Sequence, residues 1–244
     1  MSLQVSDLSI GYEKPLMSGI DFDFSPGQLI ALIGKNGSGK STLIKTIAGI
    51  LPPFEGEIKI FDKKLKPNEI ASKISVVLTE KPVPELKVKE ILEMGRLPYT
   101  GFMAQMDERD EMAITQVAEE LGINHLLNRQ YSHLSDGEKQ IVMIARAVIQ
   151  NTPIIILDEP MTHLDLENKA KVLKLLKSLS KKGKLVIFSS HDLNLILPVV
   201  DRFLVINKFV CVPENKEELN KVLKNLFKKE LLRFDEKQNH FELI

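Results

Sequence analysis

Gly34-Lys35-Asn36-Gly37-Ser38-Gly39-Lys40-Ser41-Thr42 decides how the rest of this 244-residue chain is read. A short apolar run, Leu29-Ile30-Ala31-Leu32-Ile33, leads into it, and Leu43-Ile44-Lys45-Thr46-Ile47-Ala48 leads away. That order predicts strand, glycine loop and helix, with the spacing G-x-x-x-x-G-K-[ST] of a phosphate cradle. Gly34, Gly37 and Gly39 let the backbone fold tightly and bring its N–H groups up to an anion. The helix that follows adds the positive end of its dipole. Lys40 supplies a mobile charge for the β- and γ-phosphates, and the Ser41 hydroxyl can ligate Mg²⁺. Lys35, Asn36, Ser38 and Thr42 complete the candidate nucleotide contacts. The chain is expected to bind a nucleoside triphosphate.

The bulk properties narrow the setting. At about 100–200 residues per domain the length allows one large domain or two small ones. Hydrophobic residues make up 43% and charged residues 27%, a composition that supports a real core. Lys+Arg and Asp+Glu are equal at 33 each, so no global field draws in nucleic acid or an anionic membrane. Cys211 is the lone cysteine, which excludes a disulfide framework and fits a reducing cytosolic setting. Asp7 and Glu13 interrupt the N-terminal region, so no signal peptide is expected. No window holds 18 consecutive apolar residues, so any membrane span must come from a partner.

Outward from the loop, residues 3–10 and 20–24 alternate apolar and polar and predict strands with one buried face. Residues 56–61 predict a third antiparallel strand, and Ile74-Ser75-Val76-Val77-Leu78 a buried one. After Lys81-Pro82-Val83-Pro84, a loop, the pattern turns helical: residues 88–94, then 107–121 with Met112, Val117, Ala118 and Leu121 as its apolar set, then a short helix over 123–129. Two continuous apolar runs, 154–157 and 185–188, predict buried strands, with an amphipathic helix over 166–180 between them and a further strand at 203–206. An α/β frame formed by residues 1–80 and 151–210 would thus carry a helical insert, 81–150. Residues 211–244 predict a helix with Leu219, Val222, Leu223, Leu226 and Phe227 on one face, then a hairpin holding Phe234 and Phe241.

Asp158-Glu159 stands at the end of the buried run 154–157. In a parallel sheet, ligands bind outside the carboxyl ends of the strands, where the phosphate loop also lies. Asp158 is placed to hold Mg²⁺ through water together with Ser41. Glu159 is placed to deprotonate an attacking water. His191 follows another buried strand, and two readings stand side by side: a donor to the γ-phosphate, or a ring bonded to local backbone. Leu134-Ser135-Asp136-Gly137-Glu138-Lys139-Gln140 precedes a helix over 141–149. Ser135 is a good N-cap and Glu138 completes a capping box. A helix start with Ser and Gly is also an anion site, and a second such site suggests a nucleotide that contacts two surfaces, of one copy or of two.

These motifs, in this order and with Leu164-Asp165 after Pro160, resemble the ATP-binding subunit of an ABC transporter. The stretch 134–140 is the most specific element. The resemblance implies a P-loop ATPase core with a small antiparallel β subdomain and an inserted helical subdomain. It implies a head-to-tail dimer, with Ser135 and Gly137 acting in trans on the γ-phosphate, Tyr12 stacking on adenine and Leu164-Asp165 crossing the interface. Lys40, Glu159, His191, Ser135 and Gly137 would be its catalytic set, and ATP and Mg²⁺ its cofactors. Its partners would be transmembrane permease subunits at the cytoplasmic face of the cell membrane and, indirectly, a substrate-binding protein. Gly95-Arg96-Leu97-Pro98-Tyr99 is similar to a stretch of importers for iron–siderophore, haem and cobalamin. Three departures stand out: Thr79-Glu80 where the family places a glutamine that ligates Mg²⁺, Asp136 and Glu138 within the signature, and His163 before Leu164. The rival readings are a transporter subunit for another cargo or the opposite direction, a soluble ATPase in translation or complex assembly, and a non-hydrolysing nucleotide-gated scaffold.

Overall fold

The computed structural model describes residues 1–79, 85–100, 106–226, 232–235 and 240–243. β1 (Leu3–Gly11) and β2 (Pro15–Phe24) pair antiparallel, with Leu3 opposite Phe24 and Leu8 opposite Ile20. Alternation in β2 buries Ile20, Phe22 and Phe24 and leaves Asp21 and Asp23 exposed, as a period of two requires. β3 (Leu29–Gly34) and α1 (Lys40–Ile47) flank the glycine loop. β4 (Glu55–Ile60) pairs antiparallel with β1 and completes a sheet of order β2-β1-β4. It stops before Phe61, which turns at φ 51.

The chain continues through α2 (Pro67–Ile70), β5 (Ile74–Val77), α3 (Val88–Glu93), α4 (Leu97–Thr100), α5 (Glu108–Leu121) and α6 (Asp136–Ile149). It returns with β6 (Ile154–Leu157), α7 (Leu166–Lys181), β7 (Leu185–Ser189), α8 (Leu193–Ile196), β8 (Arg202–Ile206) and β9 (Val210–Cys211). α9 (Lys216–Leu226) and the antiparallel pair β10 (Leu232–Asp235) and β11 (His240–Leu243) follow, with Phe234 opposite Phe241. Glu80, the loop at 81–84, Gly101, Phe227 and the residues joining β10 to β11 lie outside the described residues.

The second sheet runs β5-β6-β7-β3-β8-β9, parallel from β5 to β8. Its strands read as unbroken apolar runs because both faces are covered. Ile30 and Leu32 of β3 and Ile154 and Ile156 of β6 join the core shared with β1, β2 and α1. Leu29, Ala31 and Ile33, with Ile155 and Leu157, join the core shared with α3, α5, α6 and α7. Full burial of each such Leu or Ile stabilises by about 1.5–3 kcal/mol relative to exposure. The mixed α/β fold is the expected one: an antiparallel sheet stacked against a parallel sheet, with helices on the parallel sheet's other face.

Two helices differ from the sequence expectation. The buried stripe of α5 is Ile114, Val117, Ala118 and Leu121, while Met112 is 70% exposed. Spacings of three and four keep those four on one side of a 3.6-residue turn, and 112 falls off that stripe. Helix α6 begins at Asp136 instead of 141, so most of the signature stretch is its first turns. The cap at Ser135 sets that start, since its side chain accepts from the Glu138 N–H. The Gly95–Tyr99 stretch staples the helical part. Arg96 Nε donates to Asp110 at 2.6 Å, and Arg96 Nη1 donates to the Ile149 carbonyl at the end of α6 at 3.0 Å. Tyr99 packs on the guanidinium at 4.5 Å. Leu97 and Tyr99 remain exposed.

Candidate nucleotide-binding site

The order β6-β7-β3 sets three carboxyl strand ends side by side. They present Asp158-Glu159, Ser189-Ser190-His191 and the glycine loop. Within the loop Gly37 and Gly39 take positive φ, and a side chain on Gly34 would place its Cβ 2.5 Å from the Ile206 carbonyl oxygen. Lys40, the first residue of α1, is buried, and its Nζ donates to the carbonyls of Gly34 and Lys35 at 3.0 and 3.1 Å. Burial pulls the ammonium below the usual lysine range, against the attraction of Glu159 and Asp158. Ser38 Oγ is buried with no hydrogen-bond partner. A buried cation held by neutral carbonyls, beside an orphaned hydroxyl, fits an anion.

The loop opens on a cavity of about 360 Å³ lined by Leu16, Asn36, Gly37, Gly39, Lys40, Ser41, Thr42, Glu159 and His191. The sequence-predicted loop, carboxylate and histidine therefore meet in one place. Tyr12, Gly34, Lys35, Ser38, Ser135, Gly137 and the predicted metal ligand Asp158 are not in that lining. Tyr12 is exposed, with the Lys45 ammonium 6.0 Å from its ring centroid. Ser135 Oγ donates to Glu138 Oε2 at 2.9 Å, within the capping box. That box holds the Glu138 carboxyl below the usual carboxylate range. A Cβ on Gly137 would lie 3.3 Å from the His163 carbonyl, so the signature packs against the loop before α7.

Asp158 is 2% exposed and both its oxygens are occupied. Oδ1 accepts from Ser189 Oγ at 2.6 Å and Oδ2 from Thr79 Oγ1 at 3.0 Å. Ser189 Oγ in turn accepts from the Glu159 N–H at 2.7 Å. Glu159 sits at φ 51 before Pro160, a left-handed conformation that costs a glutamate about 1 kcal/mol or more. His191 Nε2 lies 2.7 Å from Glu159 Oε1. A carboxylate only accepts, so that nitrogen carries the proton and the ring faces Glu159, not local backbone. Thr162 Oγ1 donates to Glu159 Oε2 at 3.3 Å, and Gln140 of α6 reaches the Glu159 carbonyl at 3.5 Å. Sequence reasoning missed Ser189 and Thr79 as partners of Asp158. The one signal for Ser189 was a hydroxyl at the end of a strand that pairs with the strand bearing Asp158, and that pairing is not readable from a linear sequence.

Ser41 and Asp158 offer oxygen donors near the loop, and no group of three or more His, Cys, Asp or Glu that could hold a metal occurs among the described residues. That donor set fits Mg²⁺, which takes one or two protein oxygens and completes its shell with phosphate and water.

A parallel sheet that gathers a glycine-lysine loop, a strand-end Asp-Glu pair and a strand-end histidine defines a P-loop nucleoside triphosphatase. The sequence matches the ABC transporter family over residues 17–162, and the chain belongs to that family. It is 35% identical to an uncharacterised ABC transporter ATP-binding protein of Methanocaldococcus jannaschii, over 98% of this chain and 87% of that one. It is 33% identical to the iron(3+)-hydroxamate import ATP-binding protein of Bacillus subtilis (79% and 74% covered). Identity is 32% to the zinc transport system ATP-binding protein of Treponema pallidum (84% and 78% covered). The fold superposes with TM-score 0.77 and 26% identity on a dimeric ATP-binding cassette in a post-hydrolysis state with ADP and Pi, covering 85% of this chain and 96% of that one. Among the described residues no helix is long and apolar enough to cross a membrane.

Proposed function

We propose that the chain is the Mg²⁺-dependent ATP-hydrolysing subunit of an importer for a metal chelate of the iron–siderophore, haem or cobalamin kind. The observation that carries the hydrolytic reading is the Glu159 carboxylate held 2.7 Å from His191 at the rim of the cavity lined by Lys40 and Ser41. Glu159 accepts a proton from the attacking water. His191 keeps that carboxylate aimed, and its N–H is close enough to the cavity to turn toward a γ-phosphate. Lys40 and the loop N–H groups take up phosphate charge, and Ser41 and Asp158 hold Mg²⁺, which when bound neutralises phosphate charge. Tyr12 stacks on adenine. Ser135 and Gly137 reach the nucleotide of a second copy, and the permease holds the pair at the cytoplasmic face, served indirectly by a substrate-binding protein. Residues 1–80 with 151–210 form the catalytic frame in this reading, 81–150 the helical insert and 211–244 an appendage. The likeness to the iron(3+)-hydroxamate import protein and the Gly95–Tyr99 stretch support the cargo class. The zinc relative, which matches a larger share of this chain, favours a second reading with a bare metal ion as cargo.

The test is Glu159→Gln in the full chain. It is expected to retain ATP binding, to lose phosphate release by roughly 10²–10⁴-fold as removal of a general base does, and to accumulate a nucleotide-bound dimer by light scattering. Full turnover in that variant would overturn the assignment. Uptake into vesicles with the cognate permease, comparing iron(3+)-hydroxamate with zinc, separates the two cargo readings.

A further inference from the structure

The carboxylate of Asp158 is gripped from both sides, and one grip comes from a residue with no assigned role. β5 and β6 stay paired to their ends, where the Asp158 N–H donates to the Val77 carbonyl at 2.8 Å. That pairing carries Thr79, two residues on, up to the carboxylate, and Thr79 Oγ1 donates to Asp158 Oδ2 at 3.0 Å. From the other flank Ser189 Oγ donates to Oδ1 at 2.6 Å. One donor alone would leave the carboxylate free to swing, because its terminal torsion is broad. Two donors from the neighbouring strand ends on either side fix its plane. The two differ in setting: Ser189 is fully buried and also supports the Glu159 backbone, whereas Thr79 sits at the rim.

We propose that Thr79 is a positioning residue for Asp158: its hydroxyl fixes the carboxylate that meets the hydration shell of Mg²⁺, and so sets how tightly the nucleotide site holds its cation. The proposal rests on the nucleotide-binding reading above. A hydroxyl donating to a carboxylate holds the plane of that group, and with it the direction of the remaining lone pairs. Without it Asp158 keeps its charge and loses its aim, so cation affinity falls while the loop itself stays intact.

The full-length chain is titrated with a fluorescent N-methylanthraniloyl ATP, first in EDTA and then with added Mn²⁺ followed by paramagnetic resonance. Thr79→Val keeps the shape and removes the donor. It is expected to leave EDTA-state nucleotide affinity within about twofold and to weaken Mn²⁺ binding to the nucleotide complex about tenfold, the scale of one hydrogen bond to a charged group. Thr79→Ser is expected to restore the parent's Mn²⁺ affinity. Unchanged Mn²⁺ affinity in Thr79→Val overturns the proposal. So does an equal loss of metal-free nucleotide binding, which would mark a structural role, or a Thr79→Ser variant that behaves like Thr79→Val. If the parent chain binds no nucleotide, the functional reading fails first and this one with it.

Discussion

Ser189→Ala removes one oxygen that serves two buried partners at once. Asp158 Oδ1 loses a donor at 2.6 Å, and the Glu159 N–H loses an acceptor at 2.7 Å. Ser189 is fully buried and Asp158 nearly so, and water does not readily replace the hydroxyl. A hydrogen bond to a charged group is worth about 1.5–3 kcal/mol, and a buried donor left unsatisfied costs about 1–3 kcal/mol. Thr79 still serves Oδ2, and freeing Glu159 from its positive φ gives a little back, so the net loss is placed at about 3–4 kcal/mol. For a chain of this size 1 kcal/mol moves the melting point by roughly 2–4 °C, which gives a drop of roughly 6–16 °C. The neighbouring Ser190→Ala is the control, since its Oγ accepts from the Asp192 N–H at 3.1 Å in a part-buried setting and should cost about 1 kcal/mol. Urea unfolding followed by circular dichroism reads both variants as midpoint shifts at constant slope. A Ser189→Ala loss under about 1 kcal/mol, or one matched by Ser190→Ala, would refute the reasoning.

Three other outcomes follow from the geometry. Arg96→Ala removes the cation paired with the buried Asp110 carboxylate and the donor to the Ile149 carbonyl at the end of α6, and should cost about 3 kcal/mol in the same urea assay. The Arg96 guanidinium holds the Asp110 carboxyl below the usual carboxylate range, so its contribution is complete above the unfolded value of 3.8 and is lost as pH falls through the lower folded value; Arg96→Ala should flatten that acid limb of a stability–pH profile, and an unchanged limb would exclude the pair as its source. Gly137→Ala should fold as well as the parent, because its Cβ would meet the His163 carbonyl at a tight 3.3 Å while alanine suits a helix by about 1 kcal/mol, yet it should lose ATP-induced dimerisation in light scattering; a variant that dimerises normally removes Gly137 from the trans contact.

Much of the fold and site was legible because the relevant signals are local. Unbroken apolar runs at 154–157 and 185–188 marked buried strands, and both are fully buried. Alternation marked β2, and its apolar residues 20, 22 and 24 face the core. The misplaced features were those where local pattern competes with packing or capping. Met112 looked apolar enough to join the stripe of α5, but helical phase leaves it in solvent. The apolar run alone places a helix over 141–149, whereas the Ser135 cap, itself legible in the sequence, starts α6 at Asp136 through the polar residues 136–140.

The sequence by itself marked the glycine loop and the Asp158-Glu159 pair as candidate parts of a nucleotide site, because each lies within a few consecutive residues whose spacing dictates its backbone shape, and it left His191 between two readings. Tertiary structure alone decided how those parts meet. It set His191 on Glu159, gave Arg96 the task of tying α5 to α6, and joined Thr79 and Ser189 to Asp158 across 79 and 31 residues of chain. Those last contacts depend on the register and order of β5, β6 and β7, which are set by long-range pairing between apolar runs that look alike when read one after another.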